Sequence, residues 1–130
     1  MTPSALETGT AQKVLIVEDE GEMCLVLNIL LNDEHVELEH VKTVAEAAVS
    51  LESNTPALVI LDNKLPDGYG VDFISYIKKS YPSIRIIMIT GYDGAVKDVA
   101  LENGADYFLE KPFTRQQLLD AVKGLLSVPA

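Results

Sequence analysis

Acidic residues directly follow two of the most apolar segments of this 130-residue chain. The first segment is followed by Glu18, Asp19 and Glu20, and a later one ends at Asp62. Carboxylates that lie close together repel one another and resist ionisation, unless a bound cation offsets the repulsion. Mg²⁺ takes oxygen ligands and commonly binds one or two carboxylates together with a phosphate group. The acids therefore indicate a divalent-cation site that also handles a phosphoryl group.

A hydroxyl and an amine follow two further apolar segments. Thr90 ends one of them, and Lys111 comes shortly after the other, directly before Pro112. Beside a metal-binding acid cluster, Thr90 and Lys111 could contact phosphoryl oxygens while one of the acids acts as the nucleophile. Taken singly, each residue has a structural explanation, such as a turn, a helix cap or a solvated surface. Only the combination favours chemistry.

Five short apolar segments are predicted to be strands. They are Val14–Val17, Val36–Val41, Ala57–Leu61, Ile84–Ile89 and Tyr107–Leu109. Three of them are nearly continuous runs of Val, Ile and Leu, which is typical of parallel strands that are buried on both faces.

Helical patterns separate these strands. In the first helix, a buried stripe with spacings of three and four residues consists of Met23, Val26, Leu27, Leu30 and Leu31. Leu25 and Ile29 fall off this stripe, so we expect both to be exposed, one turn apart.

Two of the helices begin with a capping box, in which each side chain accepts a hydrogen bond from the other residue's free backbone N–H. The second helix begins with Thr43 and Glu46, and the fifth begins with Thr114 and Gln117. The inward side of the fifth helix is predicted to consist of Leu118, Val122, Leu125 and Leu126.

The third and fourth helices are predicted from their ends. The third covers about residues 71–80 and stops before Pro82, because the residue before a proline disfavours helical geometry. The fourth covers about residues 95–103 and ends at Gly104, which suits a left-handed cap.

Alternation of five strands with five helices predicts a doubly wound α/β fold. A five-stranded parallel sheet would be covered by helices on both sides, in the flavodoxin-like three-layer arrangement. In such sheets the functional crevice lies beyond the carboxyl ends of the strands. All the candidate residues follow strands, so they should meet at that edge.

Composition narrows the range of functions. The net charge of −10 disfavours direct contact with nucleic acid or anionic membranes. No apolar run approaches the ~20 residues of a membrane span, and the N-terminus lacks the features of a signal peptide. Cys24 is the only cysteine, so no internal disulfide can form, and a cytoplasmic location is expected. We expect one domain over residues 13–127, a disordered lead-in over 1–12 and a tail over 128–130.

Four motifs, in order, resemble those of the receiver domains of bacterial two-component response regulators. They are VLIVEDE, LDNKLPDGYG, MITGYD and DYFLEKPF, and the resemblance covers about residues 13–126. The runs ITGYDG and YFLEKPF are similar to those in receivers of nitrogen-regulation activators. The resemblance implies the strand order 2-1-3-4-5.

The family implies roles for the acids. Asp62 would accept a phosphoryl group from a phosphohistidine on a sensor histidine kinase or a phosphotransfer protein. Asp19, Asp62 and the backbone carbonyl of Lys64 would bind Mg²⁺ or Mn²⁺, and Glu18 would act chiefly through metal-bound water. Such a domain is a signalling phosphoacceptor rather than an enzyme, because it promotes only its own phosphorylation and dephosphorylation.

The family also implies a switch. Thr90 and Lys111 would contact the phosphoryl oxygens, and Thr90 would move toward Asp62 while Phe108 turns inward. This change would alter the face formed by the fourth helix, the fifth strand and the fifth helix, where a downstream effector protein binds. Receivers usually carry a cis bond before the proline of the Lys-Pro pair, so Lys111–Pro112 is expected to be cis with the ammonium near Asp62.

Several positions depart from the common family pattern. Glu18 stands where Asp is frequent, and Phe108 supplies a ring without the hydroxyl of the common Tyr. Gly91 replaces the more usual Ala and should leave the acceptor accessible. Lys64 and Tyr92 flank the site at positions that tune phosphoryl lifetime.

Leu25 and Ile29 lie on the helix whose surface often meets the kinase in receivers, so they are candidate docking residues. A monomer or weak dimer is expected. His35, His40 and Cys24 have no partner that suggests chemistry, and we interpret them as structural.

Three other interpretations fit parts of the pattern. A flavodoxin-like cofactor binder would need a phosphate-binding loop after the first strand, where this chain has Glu18, Asp19 and Glu20. An aspartate-nucleophile phosphatase of the dehalogenase class usually has a second Asp two residues after the nucleophile, where this chain has Lys64. A degenerate receiver that serves only as a binding module would not need to retain all the site residues.

Overall fold

The computed structural model of the chain describes residues 12–19, 21, 25, 29, 36–91 and 94–126. Five strands form one parallel sheet: β1 (Gln12–Val17), β2 (Val36–Val41), β3 (Leu58–Asp62), β4 (Arg85–Thr90) and β5 (Tyr107–Glu110). The strand order is β2-β1-β3-β4-β5, and every neighbouring pair is parallel. The doubly wound fold and its strand order are therefore confirmed.

Four helices are described: α1 (Val44–Ser53), α2 (Gly70–Ser80), α3 (Gly94–Asn103) and α4 (Arg115–Leu126). They are the second to fifth helices predicted from the sequence, with ends that differ by one residue or less. The buried stripe of the first predicted helix lies outside the described residues. Leu25 and Ile29 are described, and both side chains are exposed, as their spacing predicts.

The predicted boundaries of the domain need one adjustment. Gln12, which the sequence analysis assigned to the lead-in, is the first residue of β1, because its backbone continues the ladder with Val36 of β2. The rest of the lead-in, together with the tail, lies outside the described residues. None of the described helices is long and apolar enough to cross a membrane.

Two apolar layers hold the sheet between the helices. Alternating residues of the central strands point to opposite faces, as the period of a strand requires. One face carries Leu15, Val17, Val59, Leu61, Ile86 and Met88, which pack with residues of α1, α2 and α3. The other face carries Val14, Ile16, Leu58, Ile60, Ile87 and Ile89, which pack with residues of α4. Burial on both faces explains why these strands are continuous apolar runs.

The two capping boxes behave differently. In α4, Gln117 N–H donates to Thr114 Oγ1 at 3.0 Å and Thr114 N–H donates to Gln117 Oε1 at 2.8 Å, as predicted. In α1, Glu46 N–H donates to Thr43 Oγ1, but the Glu46 carboxylate accepts from the N–H of Lys42, one residue before the cap. Both helices begin where the pattern placed them.

The end of α3 matches its predicted glycine cap. Gly104 has a φ of 115°, which only glycine adopts without strain. The N–H of Gly104 donates to the carbonyl of Leu101, and the N–H of Ala105 donates to that of Ala100. This pair of hydrogen bonds is a Schellman motif, which satisfies carbonyls at the end of the helix.

A small hairpin follows β3 and was not predicted. Lys64–Leu65 pairs antiparallel with Gly68–Tyr69, directly after Asp62 and directly before α2. The hairpin places a short, ordered loop beside the carboxyl edge of the sheet.

Candidate functional site

The carboxyl edge of the sheet carries a small recess between the strand ends. The recess is lined by Ile16, Val17, Glu18, Ile60, Asp62, Ile89 and Lys111. Three of the residues singled out in the sequence therefore meet there, although they are separated by more than forty positions along the chain at each step. The floor is apolar, so the charged groups sit at the boundary between a dry core and solvent.

Lys111 reaches directly across to Asp62. Its Nζ donates to Asp62 Oδ2 at 3.3 Å, and the Asp62 side chain is 12% exposed while that of Lys111 is 37% exposed. The backbone N–H of Lys111 donates to the Thr90 carbonyl at 2.8 Å, which fixes the start of the loop after β5. The Lys111–Pro112 peptide bond is cis. The hydrogen bond from Lys111 therefore crosses β4, which lies between β3 and β5 in the sheet.

Glu18 and Asp19 leave the end of β1 in different environments. Glu18 is buried, whereas Asp19 is exposed. His40, from β2, contacts the Glu18 carbonyl through Nε2 at 2.8 Å and lies 3.8 Å from Glu18 Oε1. Because a carbonyl can only accept, Nε2 carries the proton in this contact. His40 thus has a structural role, as predicted, but that role concerns the strand end that carries the acids.

Thr90 and Phe108 lie on the neighbouring strands β4 and β5. Thr90 is buried at the last position of β4, opposite Glu110. Phe108 is half-buried and packs against the apolar layer beneath α1, α2 and α3. Of the two predicted switch residues, Thr90 therefore lies at the end of its strand, and Phe108 lies two residues before the end of β5.

Gly70 allows the chain after the hairpin to return against Asp62. A Cβ at this position would overlap the Asp62 carbonyl oxygen and would lie 3.0 Å from the Leu61 side chain. The glycine is needed for close approach of two backbone segments rather than for an unusual dihedral angle. The motif spacing from Asp62 to Gly70 follows from this contact.

Asn63 closes the base of the same loop. Its side chain is buried, and Oδ1 accepts from the N–H of Val71 at 3.0 Å. Its carbonyl accepts from the N–H of Gly70 at 2.7 Å, and its N–H donates to Ile89 in β4 at 3.1 Å. One residue next to Asp62 therefore fastens the loop to both a strand and a helix.

Asp67 fastens the tip of the loop to a different helix. Its carboxylate accepts from the N–H groups of Val44 and Ala45 at 2.8 and 3.0 Å, which are free donors in the first turn of α1. These hydrogen bonds, first that of Val44, hold the pKa of the Asp67 carboxyl below its usual range. The loop is thus secured at its base and at its tip.

Sequence reasoning missed Asn63 and Asp67. Asp67 lies in the turn-forming run Pro-Asp-Gly, so a turn could be expected, but its partner helix begins more than twenty residues earlier. Asn63 carried no signal, because a polar residue at a strand end is ordinary in sequence. Glu20, Cys24, His35 and Tyr92 lie outside the described residues.

The donor set at the recess is consistent with a hard cation. Glu18 and Asp62 line one recess, Asp19 is exposed beside it, and Lys64 begins the hairpin directly beyond. Within residues 12–19, 36–91 and 94–126, no group of three or more His, Cys, Asp or Glu side chains is placed to hold a metal by itself. Mg²⁺ suits such an open site, since it retains waters and needs few protein carboxylates.

Gly91 directly follows β4, and its effect on access to Asp62 stays a prediction. Gly91 is exposed, and nothing lies within 4 Å of the position that a Cβ would occupy. The side of the recess toward the end of β4 is therefore unobstructed by this residue.

The chain is similar to known proteins over most of its length. Residues 14–123 match the family described as the response regulator receiver domain. The chain is 36% identical over 114 residues to the response regulator protein PilR of Pseudomonas aeruginosa, covering 85% of this chain and 25% of PilR. It is 33% identical over 115 residues to the transcriptional regulatory protein BasR of Escherichia coli, covering 88% of this chain and 52% of BasR. The chain thus spans between a quarter and about half of these relatives.

Solved structures show the same fold. A CheY-like response regulator receiver domain protein from Methanospirillum hungatei superposes with a TM-score of 0.82 at 29% identity, covering 88% of this chain and 93% of that one. The beryllofluoride-activated NtrC4 receiver domain dimer gives a TM-score of 0.81 at 34% identity, covering 87% and 94%.

Proposed function

The chain belongs to the response regulator receiver domain family of two-component systems, and from that membership we propose that Asp62 is its phosphoacceptor. The observation that carries the proposal is the recess in which Asp62 and Glu18 lie together with the Lys111 ammonium, 3.3 Å from the Asp62 carboxylate. No other described carboxylate ends a central strand beside both an acid and an amine.

In the proposed reaction, an oxygen of the Asp62 carboxylate attacks the phosphorus of a phosphohistidine. The bond between phosphorus and the imidazole nitrogen breaks, its electron pair stays on that nitrogen, and the nitrogen takes up a proton. The product is an acyl phosphate on Asp62 and a free histidine on the donor. No oxidant or further co-reactant is needed.

The chain's own residues orient this transfer. The Lys111 ammonium offsets the negative charge that gathers on the phosphoryl oxygens, which is the largest electrostatic need of such a reaction. Thr90, at the end of the adjacent strand β4, supplies a hydroxyl at the same edge of the sheet. The apolar floor of Ile16, Ile60 and Ile89 limits solvent around the acceptor.

Receiver domains use Mg²⁺ for phosphorylation, and we propose that Asp19, Asp62 and the carbonyl of Lys64 bind it here, with Mn²⁺ as a substitute. Glu18, buried in the recess, acts through water. The cation, when bound, supplies the positive charge that lets an incoming phosphoanion approach several carboxylates.

We propose that phosphorylation is read out through α3, β5 and α4. Thr90 moves toward the phosphorylated Asp62, and the half-buried Phe108 turns inward behind it. An effector that prefers the altered face shifts the population toward the active state and binds the phosphorylated form more tightly. The domain promotes its own phosphorylation and dephosphorylation and turns over no other substrate.

Partners follow from the same premise. A sensor histidine kinase or phosphotransfer protein supplies the phosphoryl group in the cytoplasm, and Leu25 with Ile29, which are 62% and 65% exposed, are part of its docking surface. The chain acts as a monomer or weak dimer and contacts neither nucleic acid nor membrane directly. The flavodoxin-like and phosphatase interpretations gain no support from the family match or the relatives.

The test compares two carboxylates at opposite edges of the sheet. With acetyl phosphate and Mg²⁺, the wild-type chain should gain one phosphoryl group, and chelation of the metal should prevent the gain. Asp62→Asn should abolish labelling. Asp106→Asn, which removes a more exposed carboxylate that also contacts a lysine, should label like the wild type. Undiminished labelling of Asp62→Asn, measured by intact mass, would overturn the proposal.

A further inference from the structure

Asn63 lies next to the proposed acceptor and is one of four buried polar residues among those that the structure describes. Its side chain does not face the recess; it reaches Val71, eight positions later, at the first turn of α2. We propose that Asn63 is a positioning residue, whose side chain holds the Asp62 loop so that the Asp62 carboxylate and the Lys64 carbonyl can act together. The inference rests on the proposed function.

The hydrogen bonds of Asn63 form a closed clasp. Its carbonyl accepts from Gly70 at 2.7 Å and its Oδ1 accepts from Val71 at 3.0 Å, so the two ends of the loop are joined twice. The N–H of Asn63 is bound to Ile89 of β4 at 3.1 Å. The clasp therefore connects the sheet, the loop and α2 through a single residue.

The clasp acts on Asp62 through a tight backbone contact. Gly70 is packed against the Asp62 carbonyl with no room for a Cβ. Any movement of Gly70 and Val71 away from Asn63 would open this contact and release the backbone that carries the Asp62 side chain. A displacement of about 1 Å at a reacting group can cost on the order of a hundredfold in rate.

The hydrogen bonds of Asp67 at the tip of the loop do not replace those of Asn63 at its base. Asp67 binds the N-terminus of α1 and so fixes the far end of the loop. Lys64, whose carbonyl is the proposed metal ligand, lies one residue after Asn63, at the base. Lys64 is therefore adjacent in the chain to the Asn63 contacts and three residues away from Asp67, and it pairs with Tyr69 in the hairpin.

The chain offers a matched control for the loss of one amide hydrogen bond. Asn103 Nδ2 donates to the carbonyl of Val71 at 3.0 Å, so it contacts the same residue from α3. It binds the carbonyl of Val71, whereas Asn63 Oδ1 accepts from the N–H of that residue. Asn103→Ala thus removes a comparable hydrogen bond to the same helix start without opening the clasp.

The experiment uses the full chain with three variants. Asn63→Leu keeps the branched shape of the side chain and removes the acceptor, and Asn63→Asp keeps an acceptor at a helix start that favours it. The third variant is Asn103→Ala. Amide hydrogen exchange of the metal-free protein measures how firmly the clasp is closed. Titration calorimetry with Mg²⁺ alone measures the affinity of the metal site. Labelling over a series of acetyl phosphate concentrations gives the maximal rate and, separately, the donor concentration at half that rate.

Asn63→Leu should raise exchange at Gly70 and Val71 about fivefold to thirtyfold, as loss of one or two kcal/mol implies. Supporting groups around a metal site typically matter tenfold to a hundredfold. We therefore expect Mg²⁺ affinity and the maximal labelling rate to fall by about tenfold or more, with the half-rate donor concentration little changed. Asn63→Asp should restore exchange protection and most of the affinity, and Asn103→Ala should affect neither affinity nor rate.

Two results would overturn the inference. Asn63→Leu could retain wild-type Mg²⁺ affinity and labelling rate, or its losses could be matched by those of Asn103→Ala at equal thermal stability. If wild-type protein labels at a residue other than Asp62, the proposed function fails, while exchange and Mg²⁺ affinity still show whether Asn63 holds the loop.

Discussion

Two lysine–carboxylate pairs lie at opposite edges of the same sheet. At the carboxyl edge, Lys111 is 3.3 Å from Asp62. At the amino edge, Lys78 of α2 is 3.0 Å from Asp106, directly before β5. The residue types are the same, but their surroundings differ.

The pair at the amino edge is tied to the backbone on both sides. Lys78 also donates to the Ile84 carbonyl at 2.7 Å, and Asp106 Oδ2 also accepts from the N–H of Ile86 at 2.8 Å. Both groups thereby join α2 to the start of β4. The pair has a structural role, because both charged groups also form hydrogen bonds with the main chain.

The pair at the carboxyl edge is longer and lies in a recess with a second acid, Glu18. Its lysine is the more exposed of the two, at 37% against 23%. The two pairs differ in what else binds their charged groups. Backbone groups bind both members of the pair at the amino edge, which gives it a structural role, whereas the pair at the carboxyl edge faces a recess and is available for chemistry. Four predictions test this contrast, in order of decreasing expected effect.

A glycine packs against each pair, and Gly70→Ala should have the largest effect. A methyl group at Gly70 overlaps the Asp62 carbonyl, which is backbone and cannot move aside. We expect a loss of about 3 kcal/mol in the free energy of unfolding, together with loss of labelling. Urea unfolding measures the first and intact mass the second.

Gly124→Ala in α4 is the control, since nothing lies within 4 Å of the added methyl group. Alanine there should stabilise the helix by up to about 1 kcal/mol. Equal stability of Gly70→Ala and wild type would mean that the close approach at Asp62 is unimportant.

Substitution of each lysine by alanine should separate an effect on labelling from an effect on stability. Lys111→Ala should slow labelling by acetyl phosphate about a hundredfold, the typical effect of removing one charge-stabilising donor, with little change in unfolding. Lys78→Ala should cost about 2 kcal/mol of stability, because it leaves a buried carbonyl and a carboxylate without their charged donor, while labelling continues. If both variants lose labelling to the same extent, the contrast between the edges is wrong.

Gly104→Ala tests the glycine at the amino edge. An added Cβ would lie 2.8 Å from Lys78 Cγ, and the φ of 115° disfavours any other residue. Because a lysine side chain can shift, we expect a loss of only about 1–2 kcal/mol, which is mainly the cost of the left-handed backbone. Thermal unfolding of Gly104→Ala beside Gly94→Ala, where space is open, measures this cost. A loss as large as that of Gly70→Ala would contradict the ranking.

The smallest effect concerns pH at the tip of the loop. The pKa of Asp67 is lowered by the N–H groups of Val44 and Ala45, so its carboxylate stabilises the fold at pH values above the unfolded pKa of about 4. This contribution disappears as the pH falls through the lower folded pKa. The difference in urea midpoint between wild type and Asp67→Ala should therefore be largest near neutral pH and shrink toward pH values of about 3. A difference that grows in acid would contradict this assignment.

Much of the fold could be predicted from local sequence patterns. The apolar runs, the capping box at Thr114 and Gln117, and the glycine stop at Gly104 each depend on residues within a few positions. Contacts of that kind are fixed by backbone period and by side-chain reach, so they can be predicted from short windows. The parallel sheet followed from alternation, and the order of its strands from family resemblance.

Contacts between distant segments were decided only by the tertiary structure. The pair of Lys78 with Asp106 spans 28 positions, and the cap of α1 by Asp67 spans 23. Nothing in either local sequence distinguishes these residues from solvated charges, because their partners come into reach only when the sheet closes.

The sequence by itself determined which residue types lie at the carboxyl edge of the sheet, since residues that follow parallel strands share that edge. Only the tertiary structure decided how Asp62 is held there. Asn63 and Gly70 secure Asp62 through contacts that need a hairpin, a helix start and a neighbouring strand in place at once. The main-chain hydrogen bonds among them depend on position rather than on residue type, and the partner of the Asn63 side chain lies in a segment that local sequence does not identify.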